Sequence, residues 1–252
     1  MELSYLSIVL CLLLLAIPAC MFYLYDEQLL VKGTGAIVRM LVQVIVGGLL
    51  TYFVIVSDDY RISLLWVLLL AALAAFGAVR KGHLPAIQYV PVLLGLLVSS
   101  LAVGFYLLMA VARVPNPLQA SLLVPLMALL IGHSAAVESR GVNAWLQARH
   151  DYREQYEYLR GNGATHLKAL APSIRRAMQQ GLAASLANAK STGLYALPLL
   201  LCALLLAGMA PLQSLAWTVS LCVGCLAASV LALVVTLWVS DRLLTSSNKP
   251  SK

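Results

Sequence analysis

Long apolar runs separated by short polar connections recur along the chain, at about 3–25, 35–56, 62–79, 84–111, 117–137, 193–208 and 215–239. A helix rises 1.5 Å per residue, so crossing a hydrocarbon layer of ~30 Å takes roughly 20 mostly apolar residues. The pattern predicts an all-α membrane protein of about seven spanning helices. The first run differs from a secretory leader. Glu2 is its only early charge, and its apolar core exceeds the usual span of about 7–15 residues. We read it as a retained first helix.

One stretch breaks the pattern, from about 138 to 190. Its first part has helical periodicity: Trp145, Tyr152, Tyr156 and Leu159 share one face, and Arg149, Arg153 and Glu157 share another. This predicts an amphipathic continuation of the fifth helix. Gly161-Asn162-Gly163 is a strong turn signal, and Thr165 is placed to cap a new helix. Pro172 is expected to cut that helix short, leaving Leu167, Leu170 and Ile174 as a partial apolar face. A further helix with Arg175, Arg176 and Gln179 then leads back to the membrane. A short helix in this place suits docking into a groove of a soluble partner, and equally suits lying on the membrane surface.

Composition supports the membrane reading. The chain is 62% hydrophobic and 11% charged, against about 45–50% and about 25% in soluble domains. We therefore expect one transmembrane domain over 1–252, with lipid as its solvent. The net charge of +7 is unevenly placed. Alternate connections hold Lys32, then Arg80 and Lys81, then the basic residues of 138–190; the tail adds Arg242, Lys249 and Lys252. The opposite loops hold only Arg61 and Arg113. The positive-inside rule puts the N-terminus outside and the C-terminus in the cytoplasm. Basic cytoplasmic loops meet anionic headgroups. A nucleic-acid partner would need a basic surface with its own fold, which the chain lacks, so none is expected.

An ordered set of residues resembles the FetB-type family of ABC transporter permeases, whose bacterial member is assigned to iron export. The set is Gly163-Ala164-Thr165, Arg175, Ala189-Lys190, Gly193-Leu194, Leu197-Pro198, Ala207-Gly208 and Pro211, with Arg39, Gln43 and Gly48 upstream. The likeness runs from about 35 to 244. It implies a multi-pass permease of the bacterial inner (cytoplasmic) membrane that binds a separate ABC ATPase and pairs with a second copy of itself. ATP and Mg belong to that ATPase: this chain has no Gly-x-x-x-x-Gly-Lys-Ser/Thr loop, and it is expected to be no enzyme and to carry no cofactor. The resemblance makes 163–174 the coupling element, carried by Gly163, Ala164, Thr165, Leu167, Leu170 and Arg175. Departures gather in the other half. Leu199-Leu200-Leu201 replaces Gly-Met-Met, Trp217-Thr218 replaces Tyr-Gln, and Gly132-His133 replaces Gly-Asn. The cargo stays open, with a metal ion as the first candidate.

Candidate pathway residues each carry two readings. Arg39 and Gln43, one turn apart, line a cavity, or Arg39 reaches the headgroups. His133 ligates a metal or moves a proton, or makes an interfacial hydrogen bond. Pro198 kinks a pathway helix, or is an ordinary membrane proline. Cys222 and Cys225 share a helix face and serve metal or redox chemistry, or pack as small residues. Asp58 and Asp59 attract a cation at a pathway mouth, or form a solvated turn with one capping the next helix. A non-transporting partner of an ABC ATPase, or a membrane-embedded enzyme, are the alternative functions; the enzyme would need clustered acids, histidines or a nucleophile.

Overall fold

A computed structural model describes residues 27–191 and 196–247. The expected first helix, at 3–25, lies outside them. The chain divides into two units, 1–57 and 58–252. In the first, helix α1 (Glu27–Ser57) starts earlier than the apolar pattern predicts, so residue 32 sits within the helix rather than in a connection.

The second unit is a helical bundle. α2 (Tyr60–Lys81) is followed by a 3₁₀ turn (Ala86–Gln88), α3 (Tyr89–Tyr106) and a π-helical turn (Leu107–Val111). α4 runs unbroken over Ala120–Asp151, and α5 (Arg153–Gly161) follows at a kink on Tyr152. α6 (His166–Ser191), α7 (Ala196–Leu206) and α8 (Pro211–Ser247) complete it. The span expected at 84–111 is thus a composite of three helix types. α4 joins the expected fifth span and its amphipathic continuation into one rod.

Five described helices are long and apolar enough to cross a bilayer: Gly33–Ser57, Tyr60–Lys81, Ala86–Val111, Ala120–Asp151 and Pro211–Leu244. The chain is a multi-pass membrane protein. The described part of the expected sixth span, α7, has 11 residues, short of the length a crossing needs.

Packing inverts the soluble pattern. α2 buries Ser63, Val67, Ala71, Ala75 and Ala78, spaced three or four apart, and exposes Leu65, Leu68, Leu73 and Phe76. α8 likewise buries Ser214, Thr218, Ala228, Ser229, Ala232, Thr236 and Ser240 while Val219, Val223, Val230, Val234 and Trp238 face out. Lipid leaves large aliphatic side chains no reason to turn inward, whereas small residues let helix backbones approach. The buried hydroxyls are satisfied mostly within their own helix: Thr218 donates to Ser214 O at 2.8 Å and Ser229 to Cys225 O at 2.7 Å. α3 and α4 pack against α8, and α6 lies along α4.

A close seam joins α4, α6 and α8. A Cβ at Gly181 would stand 3.0 Å from the Gly141 Cα, and one at Gly141 would stand 2.6 Å from Leu233 Cδ1. Trp145 is buried beside it, with Val142, Ala177 and Leu237 in the same core cluster.

Pro172 does not end a short helix. α6 is one helix of 26 residues running through it. Proline removes a single backbone bond here, and the face made by Ala169, Leu170, Ser173, Ala177 and Gly181 is buried continuously on both sides of it. That packing holds the helix together across the missing bond.

Candidate functional site

The turn 161–165 is built by backbone geometry. Gly163 N donates to Arg160 O at 3.1 Å and Ala164 N to Leu159 O at 3.0 Å, the pair of bonds that closes a helix when the next residue turns left-handed. Gly163 supplies that conformation at φ +81 with open space around it. Ala169 N then donates to Thr165 O at 3.0 Å, starting α6 immediately. The expected apolar face is split by this geometry. Leu170 is buried against the bundle, Ile174 is half-buried, and Leu167 is 67% exposed. Arg175 is exposed as well. The turn presents Leu167 and Arg175 outward from a helix packed along α4.

An ionic knot ties this turn to the end of α8. Asp241 accepts from Arg149 Nη1 at 3.0 Å and lies 2.7 Å from His166 Nε2; Tyr156 Oη is 2.8 Å from His166 Nδ1. The Arg149 guanidinium also lies 5.0 Å from the Trp145 ring centroid, a cation–π distance. Four helices, α4, α5, α6 and α8, meet in this one network. A cavity of about 160 Å³ beneath it is lined by Trp145, Leu170, Ile174, Met178, Leu237 and Trp238, among others.

A second polar centre sits in the bundle interior, where sequence reasoning placed nothing. Glu138 on α4 is 0% exposed. Its Oε1 accepts from Thr236 Oγ1 at 2.6 Å, and that hydroxyl lies 3.4 Å from Pro91 O. One turn along α8, Ser240 donates to the buried Gln88 Oε1. Gly95 makes room: a Cβ there would run into Thr236 Oγ1 and stand 2.6 Å from Glu138 Oε1. Glu138 Oε2 is buried without a hydrogen-bond partner. The composition change after Val137 disguised this residue as the start of the polar stretch. The helical phase exposes it, since Ser134, Glu138, Gly141 and Trp145 recur at three and four and are all buried.

The other expected site residues are dispersed. Arg39 and Gln43 lie one turn apart on α1, in the first unit. His133 is half-buried on α4, with Nε2 shielded and unpartnered. Pro198 lies in α7 (Ala196–Leu206), next to residues outside the described ones. Cys222 and Cys225 are free thiols, and Cys225 belongs to the apolar core. Asp59 caps α2, accepting from Arg61 N at 3.0 Å, and Asp58 Oδ1 accepts from Ala120 N at 3.2 Å, pinning the start of α4. Both aspartates therefore do structural work. Among the described residues no three of His, Cys, Asp and Glu gather as metal ligands.

The chain is 22% identical over 204 residues to the "Probable iron export permease protein FetB" of Escherichia coli (strain K12), an overlap of 81% of this chain and 78% of that protein. No solved structure matches. The model of the family described as "Uncharacterised protein family (UPF0014)" matches residues 5–244, nearly the whole chain, and the chain belongs to that family.

Proposed function

We propose that the chain is the membrane-spanning permease subunit of an ABC transporter, energised by a separate ATPase that docks on 163–174. The observation that carries this is the left-handed turn at Gly163, which holds Leu167 and Arg175 outward on a helix seated along α4 and knotted to α8. A docked partner moving that turn would move three bundle helices together. The N-terminus is outside and the turn and tail are cytoplasmic, in the orientation that the basic residues favour, in a bacterial inner membrane. Two permeases work with two ATPases. The cargo is a metal cation, in line with the iron-export assignment of the E. coli relative. ATP and its Mg stay with the partner. On the pathway side, Arg39, Gln43, His133 and Pro198 remain the candidates read from sequence, and Glu138 joins them from the structure.

The test is affinity purification of the detergent-solubilised chain from its own cells, with mass spectrometry of what accompanies it. A stoichiometric ABC ATPase is expected, lost when 163–174 is replaced by a Gly-Ser linker and reduced in Gly163→Val, because a β-branched residue cannot hold φ +81 without strain. Clean recovery of the chain without any ATPase would sink the reading.

A further inference from the structure

The hydrogens around Glu138 do not add up for an ionised carboxylate. The side chain is fully buried, Oε1 lies 2.6 Å from Thr236 Oγ1, and Oε2 reaches no partner. The same Thr236 hydroxyl lies 3.4 Å from Pro91 O. A hydroxyl has one hydrogen to give. With Glu138 ionised, that hydrogen stands between two acceptors and can serve only one of them. The neighbouring hydroxyls bring no second donor, because Ser240 donates to Gln88 Oε1 and Ser139 to Ala136 O.

The charge would be as poorly served as the bonds. A buried carboxylate needs a cation or several donors, and a group that lacks both neutralises instead. Among the described side chains no Lys, Arg or His forms an ion pair with Glu138. α3 brings only Tyr89, which donates to Ala72 O, and the exposed Tyr106. α2 ends in Arg80 and Lys81, both exposed, as is His83 after it. On α4 itself, Arg140 is exposed and donates to Ala136 O, and His133 lies about 140° round the helix. On α6, Lys168 and Arg175 are exposed and Arg176 pairs with Asp151. On α8, Asp241 holds Arg149 and His166, Arg242 lies over the Trp238 ring, and Cys222 and Cys225 are about three turns or more from Thr236.

One proton removes both difficulties. The 2.6 Å contact serves donation in either sense. With a hydrogen on Oε1, Glu138 donates to Thr236, Thr236 donates to Pro91 O, and the chain of two bonds is complete. Oε2 is then a neutral carbonyl oxygen, far cheaper to bury alone than a charge. The packing admits no water beside it at Gly95, where even a Cβ would collide with Thr236 Oγ1 and stand 2.9 Å from Ala232 O. We propose that Glu138 is a proton-binding site, neutral in this closed arrangement, which gives its proton to water only when α3 and α8 part. The Glu138 O–H bond then breaks, its electron pair stays on the carboxylate, and the proton leaves on water. Ionisable side chains enclosed within a spanning helix, as Glu138 is in Ala120–Asp151, commonly serve as proton relays. This site does not depend on the permease reading.

The experiment is infrared spectroscopy of the full chain in detergent at about pH 8, where exposed carboxyl groups are ionised. The wild type is expected to show the carbonyl band of a protonated carboxylic acid. Glu138→Gln should lose it, with the amide donating to Thr236 in place of the acid. Asp58→Asn, at an exposed position, should keep it. Thr236→Val keeps the acid but removes its acceptor, so the band should remain and move to higher frequency; this covers the case where Glu138→Gln does not fold. On transfer to D₂O the wild-type band should shift slowly, at the pace of opening. Absence of a protonated-acid band in the wild type would overturn the proposal, as would a band left unmoved by whichever variant folds. Complete deuterium exchange at once would show that water reaches Glu138 without any parting of α3 and α8, and would overturn the closed site.

Discussion

Adding one methyl group at residue 95 tests how tightly the interior is closed. A Cβ on Gly95 would overlap Thr236 Oγ1, stand 2.6 Å from Glu138 Oε1 and stand 2.9 Å from Ala232 O. The first two atoms belong to side chains that can swing, but only by breaking the 2.6 Å bond between them. The third is helix backbone, so α3 and α8 must also separate slightly. Overpacking by one carbon in a tight core costs about 1–3 kcal/mol. Losing a hydrogen bond to a buried carboxyl adds about 1.5–3 kcal/mol. Replacing a mid-helix glycine by alanine returns up to about 1 kcal/mol of helix propensity. Gly95→Ala should therefore destabilise by roughly 2–5 kcal/mol. At about 2–4 °C per kcal/mol for a chain of this size, the melting temperature falls by roughly 4–20 °C. Gly132→Ala on α4 is the matched control: a Cβ there meets nothing within 4 Å, so only the propensity gain remains and the melting temperature holds or rises. Thermal unfolding of the detergent-solubilised variants reads both. A Gly95→Ala melting temperature at or above wild type would refute the closeness of α3, α4 and α8 at this level.

Two further perturbations follow from the same packing. Asp241→Asn removes the charge shared by Arg149 and His166. With these side chains 18–33% exposed, solvent screening limits the loss to about 1–2 kcal/mol; a double-mutant cycle with Arg149→Gln should return a coupling near ~1 kcal/mol, and additivity would contradict the knot. Trp145→Ala empties a site that is 1% exposed at the α4–α6–α8 seam; a loss of about 3–5 kcal/mol is expected in the same unfolding assay, and a loss under ~1 kcal/mol would show that the seam closes without it.

What was legible in the sequence was whatever depends on solvent. The long spans α2, α3, α4 and α8 follow from apolar length alone, and the end of α5 follows from Gly161-Asn162-Gly163 because only a permissive residue takes φ +81 there without strain. What escaped depends on tertiary contact. Pro172 reads as a helix breaker because local chemistry counts one lost bond and cannot count the buried face that bridges it. Leu167 and Leu170 read as one apolar face, yet the bundle covers Leu170 and leaves Leu167 out. Glu138 reads as the start of the polar stretch because composition is a property of a window, whereas burial is decided residue by residue by the neighbouring helices. The C-cap of α2 shows the same limit at a turn. His83, at φ 50, takes the left-handed place that glycine fills after α5, and Arg80 and Val79 carbonyls receive the bonds that close the helix.

At 32 residues, α4 is about 48 Å long, well beyond the ~30 Å of hydrocarbon it has to cross. Its overhang makes it a lever. The fulcrum is the crossing with α6 at Gly141 and Gly181, where the two backbones touch. From there the long arm reaches about 15 Å to Asp151, and the short arm only about 4.5 Å to Glu138. If α4 pivots about that crossing, a displacement at Asp151 is geared down about threefold at Glu138. A displacement of a few ångströms at Asp151 then corresponds to about one ångström at Glu138, comparable to the slack in the hydrogen bond it shares with Thr236.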